Sequence, residues 1–547
     1  MTSVCIPYTR VPHATALHLD YLYNFGRVER FYGGSPSELR SYQLVAEQIR
    51  SSHSHRDALV DILTRQNRDF GCSEETLANI RLLRDPETFA VLTGQQVGLF
   101  SGPAFTLYKA LTAARLAQFL TLQGLRCVPV FWLATEDHDL EEVLRAAALD
   151  KDGRIERLEA PAERPAADSP VGAAKLGEGI IEVLGRLEQA FPPGESRDRL
   201  LRDLRECYAP GVRWGDAFGR FMARLLGRFG VILIDPLDAD VHSATRGIYG
   251  WALGHAAQLR QRLLDRSQEL IAAGYHAQVH VGADSTLVFA TVNGGRQAIR
   301  HRGDRFEADG LPAATAARLE QLIAERPLDF TPSALLRPVV QDSLLPTVAY
   351  VPGPTELAYF AQSKVIYEET GRAIPVMFPR AAFTLADRRI EKLLGKYGLT
   401  LEDFWRGEEP LRRKIAAAGL REGEGVQEHW PARLDRGEQE VRRLFEDLQG
   451  GVERLDPTLQ DSLRHAQEKM IFQVERLRSK LSRAALERSD ILRRHERELL
   501  NFLLPEGQLQ EREISGIYFL GRAGYGLLDE IFSQIKPHCS DHQFVIY

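Results

Sequence analysis

The densest grouping of residues able to do chemistry is Thr93-Gly94-Gln95-Gln96-Val97-Gly98-Leu99-Phe100-Ser101-Gly102-Pro103. Its closely spaced glycines let a backbone approach a ligand, and a helix beginning just after them offers free N–H groups and a partial positive charge to an anion. A phosphate or a carboxylate suits such a turn. Gln95, Gln96, Ser101 and Thr106 add side-chain donors, and Lys109, about two turns into the helix, is placed to reach the same anion. The spacing matches neither the dinucleotide-binding fingerprint nor the P-loop. Close packing of the turn against its helix is the alternative reading of the same glycines.

A second grouping is Thr135-Glu136-Asp137-His138-Asp139. His138 between carboxylates could be a base, a hydrogen-bond donor to a substrate or, with Asp137 and Asp139, a metal ligand. Adjacent positions cannot all point inward, so no metal site is expected from these residues alone, and capping of the next helix is the structural alternative. A third grouping, Tyr350-Val351-Pro352-Gly353-Pro354-Thr355-Glu356-Leu357-Ala358-Tyr359, sets a Pro/Gly turn at a helix start. Glu356 and Tyr359 lie one turn apart and could bind an amine or a hydroxyl. Arg337 and Arg380, each next to a proline, carry the fork that matches a carboxylate, although either could be structural. His538, Cys539 and His542 are close together near the chain end and read as surface residues rather than metal ligands.

The elements that must position these groups follow from hydropathy. Residues 35–85 have helical periodicity (Leu44, Ile49, Leu59, Ile62, Leu63) and form a helical lead-in. Phe89–Thr93 reads as a short strand, followed after the turn by a helix from about Pro103 to Leu122, with Ser101 suited to its N-cap and Gly124 stopping it. Cys127–Leu133 is a continuous apolar run, as in a parallel strand covered on both faces. That is one βαβ unit, and the first two chemical groupings sit at the carboxyl ends of its strands, where open α/β sheets bind ligands. They should face one crevice.

Residues 150–215 turn to Glu, Arg, Pro and Ala and read as a loop-rich insertion that includes Ala160–Ser169. A buried strand at Gly230–Asp235 and a helical stretch at Ala239–Ala273 resume the alternation. Gln278–Arg305 reads as strands around an Asn293-Gly294-Gly295 hairpin turn. After about Asp387 the chain becomes charged and helical. Leu463, Met470, Val474, Leu477, Leu481 and Ala484 form one stripe in the proline-free stretch Thr458–Leu504. A helix of that length, at about 1.5 Å per residue, would exceed roughly 60 Å, so a coiled coil within the chain or between two chains is expected.

The 547 residues carry 69 Lys plus Arg against 75 Asp plus Glu, a formal charge of -6. This argues against a nucleic-acid surface and against attraction to anionic membranes. With 44% hydrophobic and 26% charged residues the chain is globular, and it has neither a membrane-length apolar run nor a secretory start, so a cytoplasmic location is expected. Five scattered cysteines suggest neither a disulfide framework nor a zinc site, and most should be buried and reduced.

The order strand, Gly-rich turn, helix, strand and acidic-histidine segment resembles the first half of a class I aminoacyl-tRNA synthetase core. Phe100-Ser101-Gly102-Pro103 stands where that family has His-Ile-Gly-His, and no Lys-Met-Ser-Lys-Ser loop is present. A more specific resemblance is to the cysteine-adding enzymes of bacillithiol biosynthesis, the cysteine ligases. It rests on Thr93-Gly94-Gln95-Gln96, Gly102-Pro103, Lys109, Pro129-Val130-Phe131-Trp132, Glu136-Asp137-His138-Asp139 and Gly353-Pro354 with Glu356. It extends over essentially the whole chain.

This resemblance implies an α/β fold: a Rossmann-like parallel-sheet core with connecting-peptide insertions and a C-terminal α-helical coiled coil that makes a homodimer. The corresponding divisions are 1–149 (lead-in and first half of the core), 150–229 (first insertion), 230–277 (core), 278–334 (small β insertion), 335–386 (second half of the core) and 387–547 (coiled coil). It also implies amide formation between the carboxyl of L-cysteine and the amine of glucosaminyl-malate, the last step of bacillithiol synthesis. Activation of the carboxylate by a nucleotide (ATP or ADP) is expected, with no metal. By analogy Gln95, Gln96, Ser101 and Gly102 surround anionic or phosphate groups, with Thr93, Gly94, Pro103 and Lys109 beside them. His138 acts as base or orienting donor, Asp137 and Glu356 hold amine or sugar hydroxyls, and Glu136, Asp139, Gly353, Tyr359 and Arg380 complete the substrate site. Asp137 and Gln96 join His138 as the catalytic candidates. The alternatives are a synthetase-like ligase acting on another acid and a coiled-coil scaffold with a non-catalytic core.

Overall fold

Two strands, Phe89–Gln95 (β1) and Cys127–Leu133 (β2), are buried along almost their whole length rather than at alternate positions. Strands of that kind need cover on both faces, and the rest of the core provides it. The structure, a computed structural model, describes residues 2–50, 55–166, 169–422 and 430–547. Residues 51–54 of the lead-in, and 167 and 168 of the stretch read as a loop, lie outside the described residues. Helix Phe105–Leu122 (α1) carries the chain from β1 to β2, which pair in parallel from Phe89↔Cys127 to Gln95↔Leu133. Ile232–Ile234 (β3), Thr347–Tyr350 (β4), helix Pro354–Thr370 (α2) and Val376–Met377 (β5) complete an all-parallel sheet of order β5-β4-β1-β2-β3. This is the Rossmann-like arrangement expected from the sequence.

Alternate residues of β1 and β2 serve opposite faces. Ala90, Leu92, Val128 and Val130 join a cluster with Leu59, Leu63, Leu259 and Leu263. Phe89, Val91 and Cys127 join Leu116 and Leu120 of α1 with Val45 and Ile49. The lead-in is therefore a covering layer, although Leu44 of its apolar stripe remains exposed. The Asn293-Gly294 turn is a primed hairpin turn, with φ of 52° and 80°, and its two strands head a five-stranded antiparallel sheet.

Several sequence expectations need correction. The stretch 150–215 is mainly helical beyond residue 179: Ile180–Ala190, Glu195–Cys207 and the start of Trp214–Leu226 are amphipathic helices that bury Leu184, Leu187, Leu200 and Leu204. Their Glu and Arg residues occupy the solvent face, which makes the composition look loop-like. Ala239–Ala273 is two helices that meet at His255. Ser101 is not the N-cap of α1, which starts at Phe105 with Ala104 at that position and no side-chain cap; the carbonyl of Ile514 accepts from the Ala104 N–H at 2.9 Å instead. The stretch 458–504 is not one helix, because Ser489 caps a new one at Asp490. His542 is not a surface residue; it is fully buried, and its ring meets the Thr384 hydroxyl at 2.8 Å.

The chain divides into two compact units. The first comprises 1–150, 156–384 and 511–545 and holds the parallel sheet. The second, 151–155, 385–510 and 546–547, is largely helical, and in it Trp430–Leu455 and Gln460–Glu487 form a hairpin with Arg478 paired to Asp435 and Glu438. The region read as one helical arm from 387 onward thus parts at residue 511, where the chain returns to the first unit.

Asp342 gives the first unit a pH signature. Burial raises its carboxyl to about 7 against the pull of hydrogen bonds from Thr347 and Tyr367. The native state therefore holds a proton that the unfolded chain releases near pH 4, so this group's stabilising contribution is complete below that and is lost as pH rises through about 7. Buried His18 and His542, lowered to about 4, act in the opposite sense between pH 4 and 6.5. Asp342→Asn should remove the first effect alone. Denaturant unfolding should show the wild-type advantage over the variant shrinking from pH 4 to 8, by on the order of a few kcal/mol.

Candidate active site

A cavity of about 300 Å³ opens at the carboxyl ends of β1, β2 and β4, within the first unit. Its floor is set by a lysine with nowhere to go but inward. Lys109, on the face of α1 that packs against the sheet, is fully buried. Its ammonium donates to the Gly94 carbonyl, to Gln95 Oε1 at 3.2 Å and to Glu356 Oε2 at 2.5 Å. An ammonium has three protons, so all are used. Burial pulls its pKa down, and the charge of Glu356 only partly restores it. Glu356 also accepts from the Gly353 N–H at 2.7 Å, closing the first turn of α2, and from the Tyr350 hydroxyl at 2.9 Å. Gly94 is required here because a Cβ would lie 2.9 Å from the Trp132 carbonyl oxygen.

One wall is acidic. The Gln96 amide nitrogen donates to Asp137 Oδ2 at 2.6 Å and to Glu142 Oε2 at 2.7 Å, so a single NH2 holds two carboxylates beside the cavity. The opposite character comes from Arg337, Arg380 and Arg512. Arg380 is committed: its fork grips Glu511 at 2.9 and 2.6 Å, with both side chains buried. Arg337 donates to the Tyr359 hydroxyl at 2.9 Å, and Tyr359 beside it holds the guanidinium in its charged form. Among the described residues neither Arg337 nor exposed Arg512 has a carboxylate partner. These two cations are free to meet an anion.

The glycine turn is not part of this cavity. Val97, Leu99, Phe100 and Ser101 are fully buried. Trp214 donates to the Val97 carbonyl, Tyr208 donates to the Phe100 carbonyl, and Ser515 with Gly516 covers the Gly102 carbonyl. Gly102, at φ 66°, lets the backbone fold back to within contact of Gly98. Close packing is thus the correct reading of the turn beyond Gln96. Ser101, Gly102 and Pro103 do not line the cavity, and Ser101 and Gly102 are buried.

Of the remaining candidates, Gly94, Gln95, Gln96, Lys109, Asp137, Gly353, Glu356 and Arg380 line the cavity. The others are held elsewhere. Thr93 is buried with its hydroxyl on the Val351 carbonyl at 2.9 Å. Glu136 pairs with His242 at 3.1 Å. Asp139 caps the short helix Leu140–Val143, the structural role weighed for this segment. Tyr359 buttresses Arg337. The His138 ring is off the cavity wall, with both nitrogens lacking hydrogen-bond partners among the described residues; burial and then Arg296 lower it to about 4, so it is neutral at pH 7. Sequence reasoning missed Phe105, Glu142, Gln341 and Arg512. Glu142 could have been found as the residue one helical turn beyond Asp139, whereas Arg512 has no local signal. Among the described residues no group of His, Cys, Asp and Glu could hold a metal ion.

Residues 1–381 match the model of the bacillithiol biosynthesis BshC N-terminal Rossmann-like domain, and 383–547 that of the BshC C-terminal coiled-coil domain. The chain belongs to the BshC family. It is 37% identical to a protein of Koribacter versatilis over 99% of both chains and 36% identical to one of Solibacter usitatus over the full length of both. A protein of Salinibacter ruber is 34% identical over 97% of this chain and 96% of its own. Each of the three bears the name "Putative cysteine ligase BshC". In this BshC chain the cavity therefore lies within the part matched by the Rossmann-like model except for Arg512, which the chain supplies from beyond the helical hairpin.

The buried pair is expected to dominate stability and the free cation to be silent. Glu356→Gln strands the Lys109 charge and should cost about 3–5 kcal/mol in denaturant unfolding. Arg512→Ala should change stability by no more than about 0.5 kcal/mol. Ser101→Ala should leave turnover within about twofold of wild type, since among the described residues its hydroxyl donates to the neighbouring Gly102 carbonyl alone.

Proposed function

We propose that this BshC chain is a ligase that joins the carboxyl of L-cysteine to the amine of glucosaminyl-malate, forming the amide of bacillithiol. The observation that carries this reading is that one cavity is lined both by two guanidiniums without a carboxylate partner among the described residues, Arg337 and Arg512, and by two carboxylates, Asp137 and Glu142. Arg337 and Arg512 suit carboxylate oxygens through paired N–H donors. Asp137 and Glu142, acceptors only when ionised, suit an amine or sugar hydroxyls. Both substrates of this reaction carry a carboxylate together with such donors.

A free carboxylate does not lose its oxygen to an amine at a useful rate, and a nucleotide such as ATP would supply the activation by making that oxygen part of a leaving group. The amine nitrogen then attacks the activated carbonyl carbon, the leaving group departs from that carbon, and the nitrogen loses a proton. Asp137 is the acceptor on the cavity wall. His138 follows it in the chain, but its ring is off the cavity and burial lowers it to about 4, which leaves the acceptor role to Asp137. Gln95 commits its oxygen to Lys109 and so turns its NH2 group toward substrate.

The setting that fits this reaction is the cytoplasm, where thiols stay reduced; among the described residues no helix is long and apolar enough to cross a membrane. We further read the second unit as a homodimer arm, because Leu444, Leu448, Met470, Phe472 and Leu477 remain exposed on its helical hairpin.

The test is direct. Purified protein supplied with L-cysteine, glucosaminyl-malate and ATP should yield bacillithiol by mass spectrometry. Arg337→Gln should lower kcat/KM by on the order of 10–100-fold, the worth of one or two charge-assisted hydrogen bonds. Full activity in that variant, or faster turnover with a different acid in place of cysteine, would overturn the assignment.

A further inference from the structure

The two ends of the first unit bring a pair of thiols together. Cys5 is on the N-terminal strand Thr2–Ile6, and Cys539 is in the loop leading to the C-terminal strand His542–Ile546, which that strand pairs with. Their sulfurs are 3.6 Å apart, although 534 residues separate them in the chain. Cys5 is exposed and Cys539 half-buried, so a small reagent can reach both. The loop is pinned on either side of Cys539. The Asp541 carboxylate accepts from the Tyr23 hydroxyl at 2.7 Å, and the same hydroxyl accepts from the Tyr8 N–H at 2.7 Å. On the other side His538 stands edge-on to Phe119, with ring centroids 5.4 Å apart. These anchors keep the two sulfurs facing each other.

We propose that Cys5 and Cys539 are a redox pair, oxidised by low-molecular-weight disulfides to a reversible cross-link between the two ends of the chain. One thiolate attacks a sulfur of the small disulfide, forming a mixed disulfide and releasing one small thiolate. The second cysteine's thiolate then attacks the protein sulfur of that mixed disulfide and releases the other. The protein loses two protons and two electrons, and the small disulfide is reduced to two thiols. Burial and the neighbouring Cys539 raise the Cys5 thiol, with Lys536 pulling the other way. The thiolate is therefore scarce at neutral pH, and the reaction should quicken as pH rises.

The cross-link tethers the strand beside the candidate site. The Gln543 N–H, two residues past Asp541 in the loop-strand segment, donates to the Ala382 carbonyl at 2.9 Å, and His542 meets Thr384. These residues directly follow Arg380, which grips Glu511. The oxidised form should hold this region more firmly and unfold at a higher temperature, because a link between residues so far apart in sequence restricts the unfolded chain strongly.

The experiment uses the full-length reduced protein and oxidised glutathione as probe. After incubation, alkylation of the remaining thiols and digestion without reductant, mass spectrometry should find a peptide joining Cys5 to Cys539. In Cys5→Ser and Cys539→Ser the remaining partner should instead retain a glutathione adduct. The first unit's Tm should rise by several degrees on oxidation of wild type and not in either variant. Wild-type protein with both cysteines alkylated, or with each carrying its own glutathione, would overturn the proposal. So would a cross-link that leaves Tm unchanged.

Discussion

A lysine taken out of water must be given acceptors for all its protons, and the way Lys109 receives them fixes much of this molecule's site. One proton goes to the Gly94 carbonyl at the end of β1, one to Gln95 and one to Glu356 at the start of α2. The strand end, the helix after it and a helix some 250 residues later are thereby held to one point. Coulomb attraction at a buried site is strong, yet the desolvation cost is comparable, so the pair's value lies in fixing geometry. It turns the Gln95 amide and the Gly353 turn toward the cavity, and it uses up the one cation the glycine turn might have lent to an anion.

A second buried pair does the same for the far end of the chain. Arg380 holds Glu511, and Glu511 also accepts from the Phe383 N–H. The segment that follows is then in place to present Arg512 to the cavity and to set Ile514, Ser515 and Gly516 over the glycine turn. The turn is sealed and the cation is delivered by the same short stretch. Packing thus closes the surface of the turn that a phosphate would have faced.

The parallel sheet was legible because its evidence is local: a short apolar strand at 89–93, a continuous apolar run at 127–133, and glycines where the chain must turn. The acidic-histidine and Gly353-Glu356 segments were legible as chemistry for the same reason, and both contribute to the cavity. The roles within them were not. Whether Asp139 caps a helix, Glu136 meets His242 or Tyr359 supports Arg337 depends on residues distant in sequence, and hydropathy periodicity carries no such information. The turn stayed open between two readings because glycine permits both close ligand approach and close self-packing. Arg512 was invisible because its position comes from a chain return after a long helical excursion.

What remains is a cavity whose lining carries the cations Arg337 and Arg512 together with the carboxylates Asp137 and Glu142. The most direct test of that account is a crystal structure of the protein with L-cysteine bound. It should show the cysteine carboxylate within hydrogen-bonding distance of the Arg337 guanidinium and its ammonium group toward Asp137. A carboxylate bound instead at the glycine turn, between Gly98 and Gly102, would contradict the account.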